Sequence, residues 1–265
     1  MSLYLFQSLP EKLLFEKEYN GVPVQVWEKL DRRELRFGNL IVQSAYSTLQ
    51  PDCLLLRYTR QMLAAIALVP QLENVLHIGL GGGSVANFLY HHFSNIQQTA
   101  VEINPLVIEA AYAHFGLPND SRLKVLGVDV TESINVLSGP YDLIFLDAFD
   151  HSGASSCFDS TSLLLRLQDL LKTEGWLIGN FWNQFRLFSL QKELWHGLCG
   201  QLIEAKTGLM TNSILYGHAK SNQVLMSTVQ ERAQELESTL PLRLLPLVKR
   251  FKNLENSNQS NLHGH

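Results

Sequence analysis

Glu102, Asp129, Asp147 and Asp150 each stand at, or just beyond, the carboxyl end of a short apolar run that reads as a β-strand. Glu102 lies 21 residues after Gly81, the spacing at which a carboxylate accepts hydrogen bonds from ribose hydroxyls. Asp129 ends the run Leu123–Val128, where a carboxylate can receive the amino group of an adenine ring. Asp147 and Asp150 end and follow the run Tyr141–Leu146. Upstream, Val75-Leu76-His77-Ile78-Gly79-Leu80-Gly81-Gly82-Gly83 reads as a buried strand running into a tight turn, and Val85-Ala86-Asn87-Phe88-Leu89 starts a helix. A side chain in that turn would block positive φ or hold the backbone away from a ligand. Strand, glycine turn (Gly79, Gly81, Gly83) and helix N-terminus together suit the polar part of a nucleoside-containing cofactor. Taken singly, each piece has a plainer reading: tight turns need glycine whatever they bind, and an Asp after a strand is commonly a helix cap. Their convergence on one rim of a sheet is what is specific.

The elements that must position these residues alternate strand and helix, the mark of a parallel sheet covered on both faces. Strands are expected at Val75–Leu80, Thr99–Ile103, Leu123–Val128, Tyr141–Leu146 and Trp176–Phe181, with helices near Val85–Phe93, Pro105–Phe115, Thr131–Leu137 and Ser162–Leu171. Asn104 as N-cap, Pro105 in the first turn and Gly116 past the end punctuate the second of these helices. Residues 12–56 read as short strands and turns, a small β-domain, and Leu54–Leu68 has helical apolar spacing. Ser213–Tyr216 and Val224–Met226 are expected to form a late antiparallel pair, followed by helices at Val229–Leu240 and Leu247–Leu254. The division that follows is 1–56 for the β-domain, 57–254 for a Rossmann-like domain with a mostly parallel seven-stranded sheet, and 255–265 for a polar, disordered tail.

Composition bounds the partners. The chain has 265 residues, net charge −4 and 46% hydrophobic content, the profile of a soluble globular protein. Without Lys/Arg blocks there is no electrostatic footprint for nucleic acid or an anionic membrane. No apolar run reaches the roughly 20 residues of a membrane span, and the N-terminus lacks a basic region of the secretory kind, so a cytoplasmic setting is expected. Cys53, Cys157 and Cys199 are odd in number and widely spaced, which favours reduced structural thiols over disulfides or zinc. His91-His92 and His263-Gly264-His265 have no partners at ligand spacing, so no metal is expected. His77, inside a strand, reads as a packed core residue; Trp176, Phe181, Trp182 and Phe185 read as core or pocket wall.

For the cofactor, a dinucleotide fingerprint would place Ser84 at its third glycine, and the late hairpin replaces the second mononucleotide half. Both features lean toward an S-adenosyl donor. From Gln43 to Met226 the chain resembles the spermidine synthases, or polyamine aminopropyltransferases. The resemblance is carried by Gln43-Ser44, Tyr58, the glycine turn, Val101-Glu102-Ile103-Asn104-Pro105-Leu106-Val107-Ile108, Asp129, Tyr141-Asp142-Leu143-Ile144-Phe145-Leu146-Asp147 and the Asp147-x-x-Asp150 pair.

That resemblance implies a class I methyltransferase-like fold behind an N-terminal β-domain. It also implies transfer of a 3-aminopropyl group from decarboxylated S-adenosylmethionine to an amine or polyamine. Glu102 would hold the ribose and Asp129 the adenine, with Gln43 along the nucleoside. Asp147 would take the proton from the attacking amine while Asp150 and Tyr58 place the substrate. A homodimer is the assembly such proteins suggest. Two departures stand out: Gly82 occupies the place of an acid that holds the aminopropyl amine, and Tyr58-Thr59-Arg60 replaces a segment with a substrate-binding Glu. A one-residue shift would put Gln61 at the Glu place. Arg60 beside the donor tail could pair with the carboxylate of intact S-adenosylmethionine, which makes a methyltransferase the second expectation. A non-catalytic nucleoside-binding protein is the third.

Overall fold

A computed structural model describes residues 10–38, 42–150, 153–154, 159–182, 185–208, 212–219 and 224–254, without the side chains of residues 150, 153–154 and 185–186. In chain order the strands are β1 (Lys12–Tyr19), β2 (Val22–Lys29), β3 (Arg32–Phe37), β4 (Val42–Ser47), β5 (Asn74–Ile78), β6 (Gln97–Val101), β7 (Leu123–Leu126), β8 (Tyr141–Leu146), β9 (Phe149–Asp150), β10 (Gly153–Ala154), β11 (Leu171–Trp182), β12 (Gln201–Lys206), β13 (Asn212–His218) and β14 (Lys252–Leu254). The helices are α1 (Arg57–Leu63), α2 (Ser84–His92), α3 (Pro105–His114), α4 (Val130–Ser133), α5 (Thr161–Asp169), α6 (Phe185–Leu198), α7 (Met226–Glu237) and α8 (Leu245–Val248).

Strands β1 to β4 form an antiparallel sheet in sequence order. Val24, Val26 and Leu35 are buried on one face of it, the period of two expected of a sheet covered on one side. Their cover is α3: Val107, Ala110 and Phe115 join them in one apolar cluster. α3 has the punctuation its sequence announces, since the Asn104 side chain accepts from the Leu106 amide at 3.0 Å and Pro105 opens the first turn.

The second sheet has eight strands in the order β14-β12-β13-β11-β8-β5-β6-β7. β7, β6, β5, β8 and β11 run parallel, and β13 lies antiparallel between β11 and β12. Because β8 is buried throughout, its alternate residues serve two cores. Leu143 and Phe145 face a layer with Met62, Phe88 and Val229; Ile144 and Leu146 face one with Leu164, Leu167 and Trp195. The strand order reverses between β5 and β8, which puts the crevice for a ligand at their carboxyl ends.

Several expectations change. The sheet has eight strands rather than seven, because Lys252–Leu254 pairs with β12 instead of continuing a helix. The partner of β13 is Gln201–Lys206, and Met226 begins α7 rather than ending a hairpin. Glu204 obscures that strand in the sequence, yet it is buried in the sheet, where it accepts from Ser213 Oγ at 3.2 Å and lies 3.6 Å from Lys192. The helix expected over Leu54–Leu68 starts at Arg57 and tightens into a 3₁₀ turn at Ala64–Ala67. Helix α6 was not anticipated. The expected tail at 255–265 lies outside the described residues.

Gly79 closes the sheet at the crevice. Its amide donates to Val101 O at 2.9 Å, while the Asp147 amide donates to Ile78 O at 2.8 Å. Its φ is +88°, and a Cβ there would collide with the Asp147 carbonyl. Gly79→Ala is therefore expected to cost about 1–3 kcal/mol from backbone strain alone, plus the clash. Urea unfolding checks this, and an unchanged midpoint would refute it.

Candidate active site

The crevice opens into a cavity of about 450 Å³. It is bounded by the carboxyl ends of β5, β6 and β8, by α1 and by the β1–β4 sheet. Gln43, Tyr58, Gly79, Gly81, Gly83, Glu102, Asp129 and Asp147 all line it. Residues more than a hundred positions apart are thus brought to one wall by the parallel topology.

Glu102 receives backbone amides on both oxygens, Leu80 at 3.0 Å and Gly81 at 3.5 Å on Oε2 and Asn104 at 3.0 Å on Oε1. Burial nevertheless pushes its carboxyl above the usual range, against the opposing pull of those amides. The carboxylate ties the glycine turn to the end of β6 and keeps lone pairs for a diol in the cavity. Asp129 caps α4: Oδ1 accepts from the Thr131 amide and hydroxyl, each at 2.7 Å. Among the described residues Oδ2 has no donor. The cap reading thus holds, and the same side chain keeps one oxygen for the cavity it lines.

Asp147 is the most perturbed carboxyl of the site. Burial raises it to about 6, with the neighbouring charge of Glu102 adding to the rise; hydrogen bonds from Asn180 and Tyr58 pull the other way. Asn180 Nδ2 donates to Asp147 Oδ1 at 2.7 Å, and Asn180 Oδ1 in turn accepts from Asn212 Nδ2 at 2.8 Å. Tyr58 Oη bridges to the other side of the cavity, lying 3.1 Å from Gln43 O as well, so its single proton is shared between that carbonyl and Asp147. Burial, then the Asp147 charge, drives its phenol well above the usual range, so it stays protonated. The carboxylate is therefore held by neutral donors, and among the described residues that line the cavity there is no Lys or Arg.

The β1–β4 sheet also positions the turn. Ser44 Oγ accepts from the Gly82 amide at 2.8 Å, and Ser84 Oγ donates to Ala45 O at 3.3 Å. A Cβ on Gly82 would lie 2.8 Å from Phe115 Cδ1 and 3.0 Å from Ser44 Cβ. The space an acid would need is thus filled by the chain itself.

No family model matches the chain. The polyamine aminopropyltransferase of Chromobacterium violaceum is 27% identical over 232 residues, covering 86% of this chain and 89% of that protein. The human eEF1A lysine and N-terminal methyltransferase is 31% identical over 204 residues, 68% of this chain but 29% of that one. Among solved structures, a spermidine synthase in complex with the transition-state analogue AdoDATO superposes with a TM-score of 0.71 at 15% identity, covering 95% of this chain and 88% of that one. The chain is a divergent relative of the spermidine synthases. Like the relatives of this spermidine-synthase-like chain, which are named as transferases, it is an enzyme of the transferase class.

Not every expected residue reaches the cavity. Arg60 does not line it: its guanidinium donates to Leu55 O at 3.3 Å and borders a different cavity on the far side of α1. The reason is helical phase, since Tyr58 and Thr59 take the face toward Asp147 and leave Arg57 and Arg60 opposite. Gln61 is fully buried, donating to Tyr216 Oη at 3.1 Å, so it is structural. His77 is buried, stacked on Phe145 and bonded to Gln98 at 2.9 Å, with burial lowering it to about 4; it is the neutral core residue expected. The Asp150 backbone pairs with Gly153 in the β9–β10 ladder, but its side chain lies outside the described residues, as do Cys157 and His263–His265. Asn180, Asn212 and the role of Ser44 were missed. The signal for Asn180 was available: a lone amide inside the apolar run Trp176-Leu177-Ile178-Gly179-Asn180-Phe181.

The raised Asp147 carboxyl carries a stability cost. Its folded value, about 6, lies above the unfolded 3.8, so stability is fully present below about 4 and is lost as pH rises through 6. An Asn side chain fits the site: Oδ1 accepts from Asn180, and Nδ2 donates to the Tyr58 oxygen, whose proton then turns wholly to Gln43 O. Asp147→Asn is expected to be more stable than wild type at pH 8, by at most about 3 kcal/mol, with the gap closing by pH 4. Denaturation curves at both pH values test this; a destabilised variant at pH 8 would refute it.

Proposed function

We propose that this enzyme transfers a 3-aminopropyl group from decarboxylated S-adenosylmethionine to an amine or polyamine. The observation that carries the reading is Asp147: a carboxylate at the sheet rim, held by two neutral donors, with its proton affinity raised toward neutrality. A carboxylate of that kind attracts an alkylammonium and accepts the proton that the nitrogen must lose before it can attack carbon. The named activities of the aminopropyltransferase relatives support the same class of acceptor.

The cavity fits the donor. Glu102 would accept the ribose hydroxyls, the free Oδ2 of Asp129 the adenine amino group, and Gln43 would lie along the nucleoside. The donor's sulfonium supplies an activated carbon, and the chain supplies orientation and proton transfer. Tyr58, protonated and also within reach of Gln43 O, would hold Asp147 from one side. Asn180, itself held by Asn212, holds it from the other, so the accepting oxygen points along a defined direction. Asp150 is proposed to steer the acceptor ammonium, and a dimer of such chains is proposed as the working assembly.

Methyl transfer from intact S-adenosylmethionine is the second reading. Gly82 favours it, because Phe115 and Ser44 exclude the acid that would pair with an aminopropyl ammonium, and the human methyltransferase relative points the same way. Arg60 no longer supports it, lying outside the cavity.

Supplied with decarboxylated donor and putrescine, cadaverine or spermidine, the enzyme is expected to release methylthioadenosine. Release of S-adenosylhomocysteine from the intact donor alone would replace this reading with methyl transfer. Asp147→Asn should lower kcat by about 10²–10⁴-fold, the usual span for a lost general base. The wild-type rate should fall as pH drops through about 6, where Asp147 gains its proton. In Asn180→Ala the loss of a bond that favours the charged form should move that limb to higher pH; a pH-rate profile with an unmoved limb would remove Asn180 from the site.

A further inference from the structure

On the far side of α1 lies a second, open cavity of about 850 Å³ lined by Arg57, Arg60, Arg243 and Arg250, of which Arg60 is half-buried and the other three are exposed. Arg57 and Arg60 share one face of α1 at the i, i+3 spacing, while Arg243 and Arg250 flank α8 in the chain segment that closes the opposite wall. Leu54 and Phe88 lie between them. The one carboxylate on this wall, Asp52, is bonded to His92 Nε2 at 3.0 Å. Among the described residues Arg57, Arg243 and Arg250 have no acidic or carbonyl partner, and Arg60 has only the Leu55 carbonyl.

Four arginines line one concavity, and among the described residues that line it Asp52 is the single carboxylate beside them. A planar fork of N–H donors matches phosphate and carboxylate oxygens in pairs. A single carboxylate would satisfy one fork and leave three. A chain of linked phosphates offers an anionic group to each wall at once. We propose that this cavity binds a polyphosphate-bearing small molecule, either an inorganic polyphosphate or a nucleoside polyphosphate. A cluster confined to one concavity favours a compact ligand over a nucleic acid, which would need an extended basic track; the net charge of −4 argues the same way. This site is distinct from the donor cavity and does not depend on which group the enzyme transfers. The two cavities share α1 as a wall, so a ligand bridging Arg57 and Arg60 to Arg243 and Arg250 bears on the helix that carries Tyr58.

The test is calorimetric titration of the full chain with tripolyphosphate, ATP and inorganic phosphate in moderate salt, with no added metal. Tripolyphosphate is expected to bind at least tenfold tighter than phosphate. The double variant Arg243→Ala/Arg250→Ala should weaken it at least tenfold, with an unchanged melting temperature. Arg57→Ala, on the other wall, should weaken it as well. ATP binding equal to tripolyphosphate would identify the phosphate chain as the whole of what is recognised. Tenfold tighter ATP binding that is lost in the same double variant would identify a nucleoside ligand seated on the apolar wall. Absence of tripolyphosphate binding, or binding insensitive to all three arginines, would overturn the proposal. So would an RNA oligonucleotide that binds more tightly than tripolyphosphate with the same arginine dependence.

Discussion

A carboxylate at the end of a buried parallel strand is in the wrong solvent for its charge, and much of this site is arranged around that fact. Asp147 loses water because β5, β8 and α1 meet over it. A cation placed beside it would restore the charge cheaply and lower the pKa, leaving a poor base. Neutral donors do less: Asn180 and Tyr58 hold the carboxylate in position and recover only part of the desolvation cost. The result is a carboxyl at the cavity wall whose protonation balance lies near neutrality. The same balance explains why the site is held by an amide relay rather than by a salt bridge. Asn212 fixes Asn180, and Asn180 fixes Asp147, without adding charge at any step.

The glycine turn answers to the protein before it answers to any ligand. Gly79 must pass the Asp147 carbonyl, and Gly82 is hemmed in by Phe115 and Ser44. Through Ser44 the antiparallel sheet holds the turn, and through Phe115 the α3 helix does. The two sheets are therefore coupled at the cavity itself. That coupling also accounts for the missing acid at Gly82: with an aromatic ring and a serine packed against the position, no longer side chain has room.

Where the sequence was legible, the local chemistry was strong. Asn104, Pro105 and Gly116 bound α3 because capping and the lost amide of proline act within a few residues. The acids after successive strands converge because parallel topology places every carboxyl end on one rim. Where it was not legible, the missing information was rotational or long-range. One residue of helix turns a side chain by about a quarter of a circle, so the sequence could not say that Arg60 points away from Tyr58. Asn180 falls inside the strand expected at Trp176–Phe181, and its partner Asp147 is 33 positions away in the chain. Gln201–Lys206 carries a buried Glu204 that breaks the apolar pattern, and only its pairing with β13 explains that residue.

Helix α1 separates two cavities of opposite character. On one side Glu102, Asp129 and Asp147 give an anionic wall; on the other Arg57 and Arg60 face Arg243 and Arg250. A cation approaching the protein is drawn to the first and repelled by the second, and an anion meets the reverse. Arg60, expected beside the donor tail, therefore lies on the other side of α1. The positive charge belongs to another compartment, and the thickness of one helix keeps it off the reacting wall. The charge of the first cavity is then set by Asp147, Glu102 and Asp129, and Gly82 in place of an acid leaves that sign unchanged.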